Sequence, residues 1–482
     1  MHINQIITYS IITIYILTII FVVYNVIMEN RNPIKTLAWI IIIITIPILG
    51  FVFYANLGIN YRKKKMFSRK GIGDIKWLQY MNEKNRQFVK KSTLLKHEKL
   101  SDVRKLITLL LNNSKAMLTL HNQVDILNNG SETFPAIFDS LGNAKKYIHI
   151  EYYIIEEGNL ANKLKDLLIS KVKEGVKVRF IYDDVGSWSL SKTFVRELRD
   201  AGVAIYAFSP VKFWHFKTNY RNHRKIIVVD GEVAFVGGLN FADRYLYGVE
   251  GLGIWRDIHL KVGGGAVTSL EIIFLIDWYF VCQELLLDKE NYLPHKKNDS
   301  NVAIQTVASG PDSDWASIQQ AYFSMIHMAK KNVYISTPYF MPGETTLNAL
   351  KTAAMSGVEV KILLPRKSDS LLTYWCTRSY VTELLEAGVE IYWYKKGFNH
   401  SKVILIDDLV ASVGTANMDV RSFEQNFEVN LIIYDNIVVK KLTDTINNDL
   451  KNSSIQTLND WILRKKKAKI KESMARLFAP LL

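Results

Sequence analysis

The chain has 482 residues, of which 49% are hydrophobic and 22% are charged, and its formal net charge at pH 7 is +15. These values exclude a disordered tail protein, a small disulfide-stapled domain and a collagen-like fibre, and they favour two or three domains with substantial cores. The two cysteines, Cys282 and Cys376, cannot form a disulfide framework or a cysteine-based zinc site. We expect two buried thiols, with a single disulfide between them as the alternative.

Two apolar stretches near the N-terminus are long enough to cross a bilayer as helices. Residues 6–28 and 37–57 contain no charged side chain, and each can span about 30 Å of hydrocarbon. We therefore expect a transmembrane hairpin within residues 1–60. A cleaved signal peptide is the weaker interpretation, because no Lys or Arg precedes the first stretch and no small-residue cleavage site follows it.

A basic cluster follows the second apolar stretch at once. Residues 62–70 carry six Lys or Arg side chains and no acidic one, whereas the loop between the stretches is only weakly charged. Because positive charge is retained on the cytoplasmic side, the pattern predicts that the rest of the chain is cytoplasmic. We interpret residues 61–115 as a basic, helical connector between the membrane and the domains that follow.

From about residue 116 the chain contains two copies of one pattern, in which a strand, a helix and a second strand precede a further helix and strand. This order predicts an α/β fold with two tandem sandwich lobes related by a pseudo-twofold axis, spanning residues 116–300 and 301–482. A duplicated fold commonly places its site at the seam between the copies. The first three elements of each copy are expected at residues 149–153, 160–172 and 175–182, and at 333–339, 345–355 and 357–364.

Each copy carries one set of polar residues at identical spacing. A His-x-Lys pair is followed by an Asp five residues after the Lys, then by a glycine and an asparagine seven and ten residues after the Asp. A single His-x-Lys pair would be interpreted as an exposed strand face, but two complete sets at matching places exclude coincidence. The sets lie within residues 217–244 and 394–421 and comprise His223, Lys225, Asp230, Gly237 and Asn240, then His400, Lys402, Asp407, Gly414 and Asn417.

With these motifs the chain resembles the phospholipase D superfamily, which is defined by paired HKD motifs. Further segments resemble bacterial cardiolipin synthases along nearly the whole chain, among them Asn30–Pro33, Thr337–Phe340, Asn417–Ser422 and Asn426–Glu428. The resemblance implies a phosphatidyltransferase of the bacterial cell membrane, with phosphatidylglycerol and membrane lipids as partners and no nucleic acid, metal or cofactor. It also implies transesterification through a phosphatidyl-histidine, with the two HKD sets as the catalytic residues.

The residue types fit this chemistry. Side chains two apart on a strand point to one face, so each lobe is expected to offer an imidazole and an ammonium group together. One imidazole can attack phosphorus while the other protonates the leaving alcohol, and Asn240 and Asn417 can hold the non-bridging oxygens. We assign the attack to His223 and the acid and base steps to His400, an assignment that the symmetry of the repeat makes reversible.

Supporting roles are assigned to other polar residues. Asp230 and Asp407 are followed by turn residues, so we expect them to end a strand and fix its turn although they belong to the HKD sets. Asp257 and Glu428 occupy comparable places after the two motifs. They are candidates for orienting the histidines, with ordinary edge-strand carboxylates as the alternative.

Residues just before the first motif are candidates for lipid contacts. Arg221 is a candidate for binding the lipid head group. The aromatic residues Phe213, Trp214 and Phe216 are candidates for contacting the lipid, with burial in the core as the alternative.

A second basic cluster lies near the C-terminus. Residues 464–471 carry six basic side chains between apolar neighbours, which predicts a helix on an anionic membrane surface or a solvated terminal helix. The alternatives for the whole chain are a phospholipase D or a phosphatidylserine synthase of the same superfamily, a nuclease, and a non-catalytic scaffold that clusters anionic lipids.

Overall fold

The computed structural model describes residues 2–28, 33–46, 49–50, 53–54, 103–208, 220–286 and 300–481. The chain divides into two compact units, an N-terminal helical unit and a larger unit that contains both repeats. The basic cluster at residues 62–70 and the aromatic residues Phe213, Trp214 and Phe216 lie outside the described residues. The expectations made for them therefore stay predictions.

The N-terminal unit contains two apolar helices, His2–Met28 and Pro33–Thr45. They pack through a small cluster that includes Val22, Val26 and Ile43, and the rings of Trp39 and Tyr54 pack edge to face with their centroids 5.5 Å apart. Among the described residues of this unit, only the stretch Gln5–Met28 has the length and hydropathy of a membrane-spanning helix. The described helix in the second predicted span is shorter than a bilayer crossing, so that span stays a prediction.

The larger unit is built on a mixed sheet whose strands come from both repeats. Strands β1–β8 and β9–β19 belong to the first and second repeat respectively, and two two-stranded ribbons, β11 with β17 and β7 with β14, lie outside the main sheet. The strands are β1 (Leu118–Asn128), β2 (Tyr147–Tyr152), β3 (Lys177–Asp183), β4 (Ala204–Phe208), β5 (Ile226–Val229), β6 (Val233–Gly237), β7 (Ile254–Arg256), β8 (Ile258–Gly263), β9 (Val302–Ser309), β10 (Asn332–Ser336), β11 (Phe340–Met341), β12 (Glu359–Pro365), β13 (Glu390–Tyr394), β14 (Gly397–Asn399), β15 (Val403–Ile406), β16 (Val410–Gly414), β17 (Met418–Asp419), β18 (Glu428–Tyr434) and β19 (Ser453–Ile455).

Apart from the edge strand β19, which has no counterpart in the first repeat, the order of the main sheet is symmetric about the β9–β1 pair. It runs β19-β13-β12-β10-β15-β16-β18-β9-β1-β8-β6-β5-β2-β3-β4, so equivalent strands of the two repeats stand at mirrored positions on either side of the β9–β1 pair. That pair is antiparallel, with Leu118 opposite Gln305 and Thr119 opposite Ile304. The predicted α/β class and the two tandem lobes are confirmed, and the lobes share one continuous sheet.

Helices cover the sheet of each lobe. The side chains of the long helix Gly265–Cys282 are mostly buried in the first lobe, although the helix is apolar enough to resemble a membrane span. Its two acids are paired, Glu271 with His149 and Asp277 with Arg224. The other helices in the described part of the unit are Arg104–Asn113, Asn129–Gly142, Asn159–Lys173, Lys192–Asp200, Arg244–Tyr247, Ser317–Met328, Gly343–Met355, Leu371–Arg378, Val381–Glu386, Val420–Glu424, Asn436–Lys451, Leu458–Ile462 and Lys466–Arg476, with a 3-10 turn at Ala479–Leu481.

The end of the segment interpreted as a connector belongs to a lobe. The helix Arg104–Asn113 buries Leu106, Ile107, Leu110 and Leu111 in the core of the second lobe. The side-chain amide of Gln305 also donates to the backbone carbonyls of Ile107 and Ala116, at 3.2 and 2.8 Å. The boundary at residue 115 therefore differs from the structure, in which the helix Arg104–Asn113 already belongs to the second lobe. Both cysteines are free thiols, with Cys376 buried and Cys282 half-buried.

Candidate active site

The two histidines lie at the seam between the lobes. Neither belongs to a strand of the main sheet, because β5 begins at Ile226 and β15 at Val403, after the Lys of each motif. Each histidine backbone instead pairs with the opposite lobe: the N–H of His223 donates to the carbonyl of Phe427 and that of His400 to the carbonyl of Arg256, at 2.9 and 2.7 Å. The expected seam is confirmed, and the expected strand position of the His-x-Lys pair is wrong.

A carboxylate of the opposite lobe contacts each imidazole. His223 Nδ1 lies 2.9 Å from Glu428, and His400 Nδ1 lies 2.7 Å from Asp257 Oδ2. Both carboxylates are fully buried, so these hydrogen bonds are shielded from water. The carboxylates are therefore placed to hold the proton on Nδ1, which leaves Nε2 as the nitrogen that can react.

The two lysines lie beside their own histidines. Lys225 Nζ donates to the backbone carbonyl of His223 at 2.7 Å, and Lys402 Nζ lies 2.9 Å from Nδ1 and 3.2 Å from Nε2 of His400. Both lysine side chains are buried. The expected proximity of imidazole and ammonium is confirmed, although neither lysine is among the described residues that line the cavity of the site.

Burial dominates the protonation of this cluster. It lowers the pKa of His223 to about 4, and the Lys225 and Lys402 charges act in the same direction against the opposing effect of Glu428. Burial, together with Lys402, Lys225 and His223, lowers the pKa of His400 well below its usual range. Burial also lowers the pKa of Lys225 to about 7 and that of Lys402 to about 8. Both imidazoles are therefore neutral in the free protein at pH 7.

The acceptor carboxylates respond differently to burial. Burial raises the pKa of Asp257 to about 6, although the Lys402 charge opposes it. Burial would also raise the pKa of Glu428, but the adjacent His223 and Lys225 and the hydroxyl of Thr415 lower it below its ordinary value. Both groups are thus mainly ionised at pH 7, and the site contains two buried carboxylates facing two buried lysines.

One cavity of about 560 Å³ joins the two half-sites. His223, His400, Asn240 and Asn417 line it together, so the expected meeting of the two repeats at one site is confirmed. Asn240 donates from Nδ2 to the Tyr245 hydroxyl at 2.6 Å, whereas Asn417 Oδ1 is buried without a hydrogen-bond partner among the described residues. A bound polar group could satisfy the side-chain amide of Asn417.

Comparison with known proteins agrees with this geometry. The family described as "Cardiolipin synthase, PLD-like domain" matches residues 137–255 and 322–450, which are the two lobes, and "Phospholipase_D-nuclease N-terminal" matches residues 14–58. A cardiolipin synthase of Geobacillus sp. (strain WCH70) is 43% identical over 468 residues, covering 96% of this chain and 92% of the relative. The chain belongs to the PLD-like cardiolipin synthase family.

Other family members and a solved structure extend the comparison. The major cardiolipin synthase of Bacillus subtilis (strain 168) is 40% identical over 478 residues, covering 97% of this chain and 98% of the relative. The crystal structure of a phosphatidylserine synthase from Haemophilus influenzae Rd KW20 covers 79% of this chain and 100% of its own with a TM-score of 0.61, at 15% identity. The structural likeness shows the shared fold, and membership of the cardiolipin synthases makes this chain a phosphatidyltransferase.

In this cardiolipin synthase family member, the aspartates of the HKD sets face away from the cavity. The Asp230 carboxylate accepts hydrogen bonds from the backbone N–H groups of residues 145, 146 and 147 at 2.7 to 2.8 Å. Asp407 does the same with residues 330, 331 and 332 at 2.6 to 2.8 Å. Both aspartates have a left-handed φ of 54° at the end of their strand. They fix the turn, as expected, so their inclusion among the catalytic residues is corrected.

Arg221 is also placed differently from the expectation. Its side chain is buried, with Nη1 3.5 Å from Asp183 Oδ1, and it is not among the described residues that line the cavity. Its backbone carbonyl accepts from the N–H of Phe427, so the residue contributes to the seam. The expected head-group contact is corrected, because the guanidinium of Arg221 pairs with the buried carboxylate of Asp183. Such pairing is favoured because an unpaired charge in the protein interior raises the free energy of the folded state.

Several cavity residues were missed at the level of sequence. Arg244 and Arg421 line the cavity from opposite lobes, each four residues after the asparagine of its motif, so the repeat itself carried the signal. Tyr339 also lines the cavity, and its hydroxyl donates to the cavity carboxylate Asp369 at 2.7 to 2.8 Å. Tyr153 packs edge-on against His223 with the ring centroids 4.9 Å apart.

Proposed function

We propose that the chain transfers a phosphatidyl group between two phosphatidylglycerol molecules, giving cardiolipin and glycerol. One observation carries the proposal: two imidazoles from the two repeats line a single cavity, and each is hydrogen-bonded through Nδ1 to a buried carboxylate of the other lobe. That arrangement provides one nucleophile and one proton carrier for displacement at phosphorus. Relatives that are more than 40% identical over nearly the whole chain are named cardiolipin synthases.

In the first half-reaction, His223 Nε2 attacks the phosphorus of the donor lipid. The P–N bond forms as the bond from phosphorus to the glycerol oxygen breaks, and His400 gives that oxygen its proton. Because the pKa of His400 lies well below its usual range in the free protein, the proton must be supplied when the substrate binds. The ammonium group of Lys402, 3.2 Å from His400 Nε2, is the acid placed to supply it.

In the second half-reaction, the terminal glycerol hydroxyl of a second phosphatidylglycerol attacks the phosphatidyl-histidine. Its proton passes to His400 and back to Lys402 as the P–N bond breaks, so the side chains return to their starting states. The phosphodiester anion raises the pKa of both neighbouring imidazoles, because an opposite charge favours the protonated form. The amide of Asn417 is a candidate donor to the non-bridging oxygens.

The acceptor brings a second phosphodiester, which needs a cation of its own. The product contains two phosphates joined by one glycerol, and only one of them can occupy the position between the histidines. Arg244 and Arg421 line the same cavity at equivalent places in the two repeats, and a guanidinium binds a phosphodiester through paired N–H donors. We assign the phosphate of the acceptor lipid to one of this pair. Such a site favours a lipid acceptor over water.

The decisive experiment supplies phosphatidylglycerol alone, in chelator, to the purified full-length protein and identifies the products by mass spectrometry. Cardiolipin with an equal amount of glycerol is the expected result, and His223→Ala and His400→Ala should form neither. Phosphatidic acid without cardiolipin would contradict the proposal and indicate a phospholipase D. A second reaction with added serine distinguishes the phosphatidylserine synthase alternative, for which phosphatidylserine would be the main product.

We further propose that the N-terminal unit spans the cytoplasmic membrane twice and that the lobes lie on the cytoplasmic side. The apolar stretches at residues 6–28 and 37–57 and the basic cluster at residues 62–70 support this topology. The test is Ser68→Cys in intact cells treated with a membrane-impermeant maleimide. Residue 68 should be protected until the cells are opened, and labelling in intact cells would contradict the topology.

A further inference from the structure

We propose that the C-terminal helix Lys466–Arg476 and the turn after it form a second membrane contact, which docks on anionic lipid and is separate from the N-terminal helices. The inference begins with an apolar stripe made of Ile470, Met474, Leu477 and Phe478. All four side chains are exposed, between 47% and 77%. Their spacing of four, three and one residues places them along one face of a helix.

The opposite face of this helix is fixed to the second lobe. Ala475 and Ala479 are buried in its core, and Glu472 is 4% exposed. The carboxylate of Glu472 lies 2.7 Å from Arg464 and 3.5 Å from Arg378, so it serves internal ion pairs. The stripe therefore points outward from a rigid support and is not a frayed end.

The charges around the stripe all have one sign. Lys466 and Lys469 lie on one side of it and Lys467 and Lys471 border the other, following 3.6 residues per turn, and all four are exposed. Because the acid of this helix, Glu472, is buried, the exposed face presents cations, apolar groups and the neutral Ser473, and no negative charge. This combination matches an anionic bilayer surface, where lysines meet head groups and the apolar stripe enters the acyl boundary.

A neighbouring helix connects this surface to the active site. Lys471 Nζ lies 5.1 Å from the ring centroid of Trp375, and Arg476 donates to the backbone carbonyl of Ser379 at 3.0 Å. The helix Leu371–Arg378 begins at Leu371, which is 80% exposed, and Thr373 on the same helix lines the cavity. Docking of the C-terminal helix would thus hold the cavity near the lipid surface from which both substrates come.

The first test measures insertion directly in the full-length protein. Met474→Cys carries an environment-sensitive nitrobenzoxadiazole label in a chain with Cys282→Ser, and the matched control places the label at Lys440→Cys, an exposed site on the helix Asn436–Lys451. In vesicles that contain phosphatidylglycerol, emission at position 474 should shift to the blue relative to vesicles of phosphatidylcholine alone, and high salt should reduce the shift. Position 440 should not respond.

The second test removes charge. Lys466→Gln with Lys467→Gln should lower the ratio of docked to free helix by roughly tenfold or more, because each lysine near an anionic surface contributes to binding. Lys440→Gln with Lys441→Gln, which removes the same charge elsewhere on the lobe, should leave that ratio within about twofold. A water-like emission at position 474 in anionic vesicles would overturn the proposal. So would a blue shift that depends on protein concentration and not on lipid charge, since it would identify a second copy of the chain as the occupant.

Discussion

Replacing the carboxylates that contact the histidines tests the crossed arrangement of the site. In Asp257→Asn, the backbone N–H of Ile258, 2.7 Å from Oδ1, fixes the amide oxygen at that position. The amide nitrogen must then face His400 Nδ1, where Oδ2 now accepts at 2.7 Å. An N–H donor at this point forces the imidazole proton onto Nε2, so His400 can no longer accept the proton of the incoming hydroxyl.

The expected loss follows from this geometry. A hydrogen bond to a buried charged group contributes about 1.5–3 kcal/mol, which corresponds to roughly 10- to 150-fold in rate. Reversal of the tautomer raises the loss further, and the equivalent change in a catalytic triad costs on the order of 10⁴. We therefore expect kcat to fall by about 10² to 10⁴ in Asp257→Asn and in Glu428→Gln, with a much smaller change in KM.

The assay compares phosphatidylglycerol with a phosphatidyl nitrophenol, whose leaving group departs without a proton. The initial burst of nitrophenolate reports formation of the phosphatidyl-histidine. With the nitrophenol substrate, Asp257→Asn should show most of the burst seen with the unmodified protein, because this change impairs only the proton carrier His400. Glu428→Gln should show little burst, because it impairs the nucleophile His223. Glu359→Gln, which removes a carboxylate of the second lobe that forms an exposed pair with Lys361, serves as the control.

Two outcomes carry distinct meanings. If the nitrophenolate burst were retained in Glu428→Gln and lost in Asp257→Asn, His400 would be the nucleophile and His223 the proton carrier. The pairing of each histidine with a carboxylate of the other lobe would still hold. Activity within tenfold of the unmodified protein in both variants would refute the reasoning itself. Thermal unfolding of each variant separates loss of chemistry from loss of the folded protein.

Three further predictions concern charge and the turn. Because Lys225 and Lys402 lose their protons near pH 7 and 8, kcat/KM should fall as the pH rises through this range. On the acid side, kcat/KM should fall as the pH is lowered toward 4, because His223 becomes protonated there. A profile that is flat between pH 7 and 9 would contradict this prediction. Asp230→Asn should lower the free energy of unfolding by about 1–3 kcal/mol in urea titrations, because a carboxylate that accepts three backbone N–H bonds is lost. Arg421→Gln should raise the ratio of phosphatidic acid to cardiolipin by at least tenfold if it binds the acceptor phosphate, and an unchanged ratio would leave Arg244 to be tested in the same way.

Much of the fold could be predicted because its strands and helices follow from the hydrophobic pattern of neighbouring residues in the sequence. The strand, helix and strand of each repeat depend on hydrophobic periodicity, and the structure places them within a few residues of the expected positions, as in the helix Asn159–Lys173. The HKD spacing likewise points to both histidines from the sequence alone. These features need only neighbours along the chain, which a sequence contains.

Features that depend on distant partners were not predictable in the same way. The His-x-Lys pairs lie outside the strands because their backbones form hydrogen bonds across the seam, as the N–H of His223 does with the carbonyl of Phe427. The alternation of apolar and polar residues around the motif does not reveal such a partner. The pairing of each carboxylate with the other lobe also depends on the closed arrangement of the two lobes. Apolar composition alone cannot distinguish the buried helix Gly265–Cys282 from a membrane span, because its acids find partners only in the folded lobe.

The crossed pairing makes the two lobes interdependent in chemistry as well as in fold. His223 depends on Glu428, and His400 depends on Asp257, so neither lobe holds a complete half-site by itself. A shift of one lobe against the other would change the geometry of both hydrogen bonds, since both cross the same seam. The continuous sheet through the β9–β1 pair resists that shift, because it joins the lobes through backbone hydrogen bonds as well as side chains. The cavity therefore lies at a seam that is joined both by the shared sheet and by the hydrogen bonds of the two histidines.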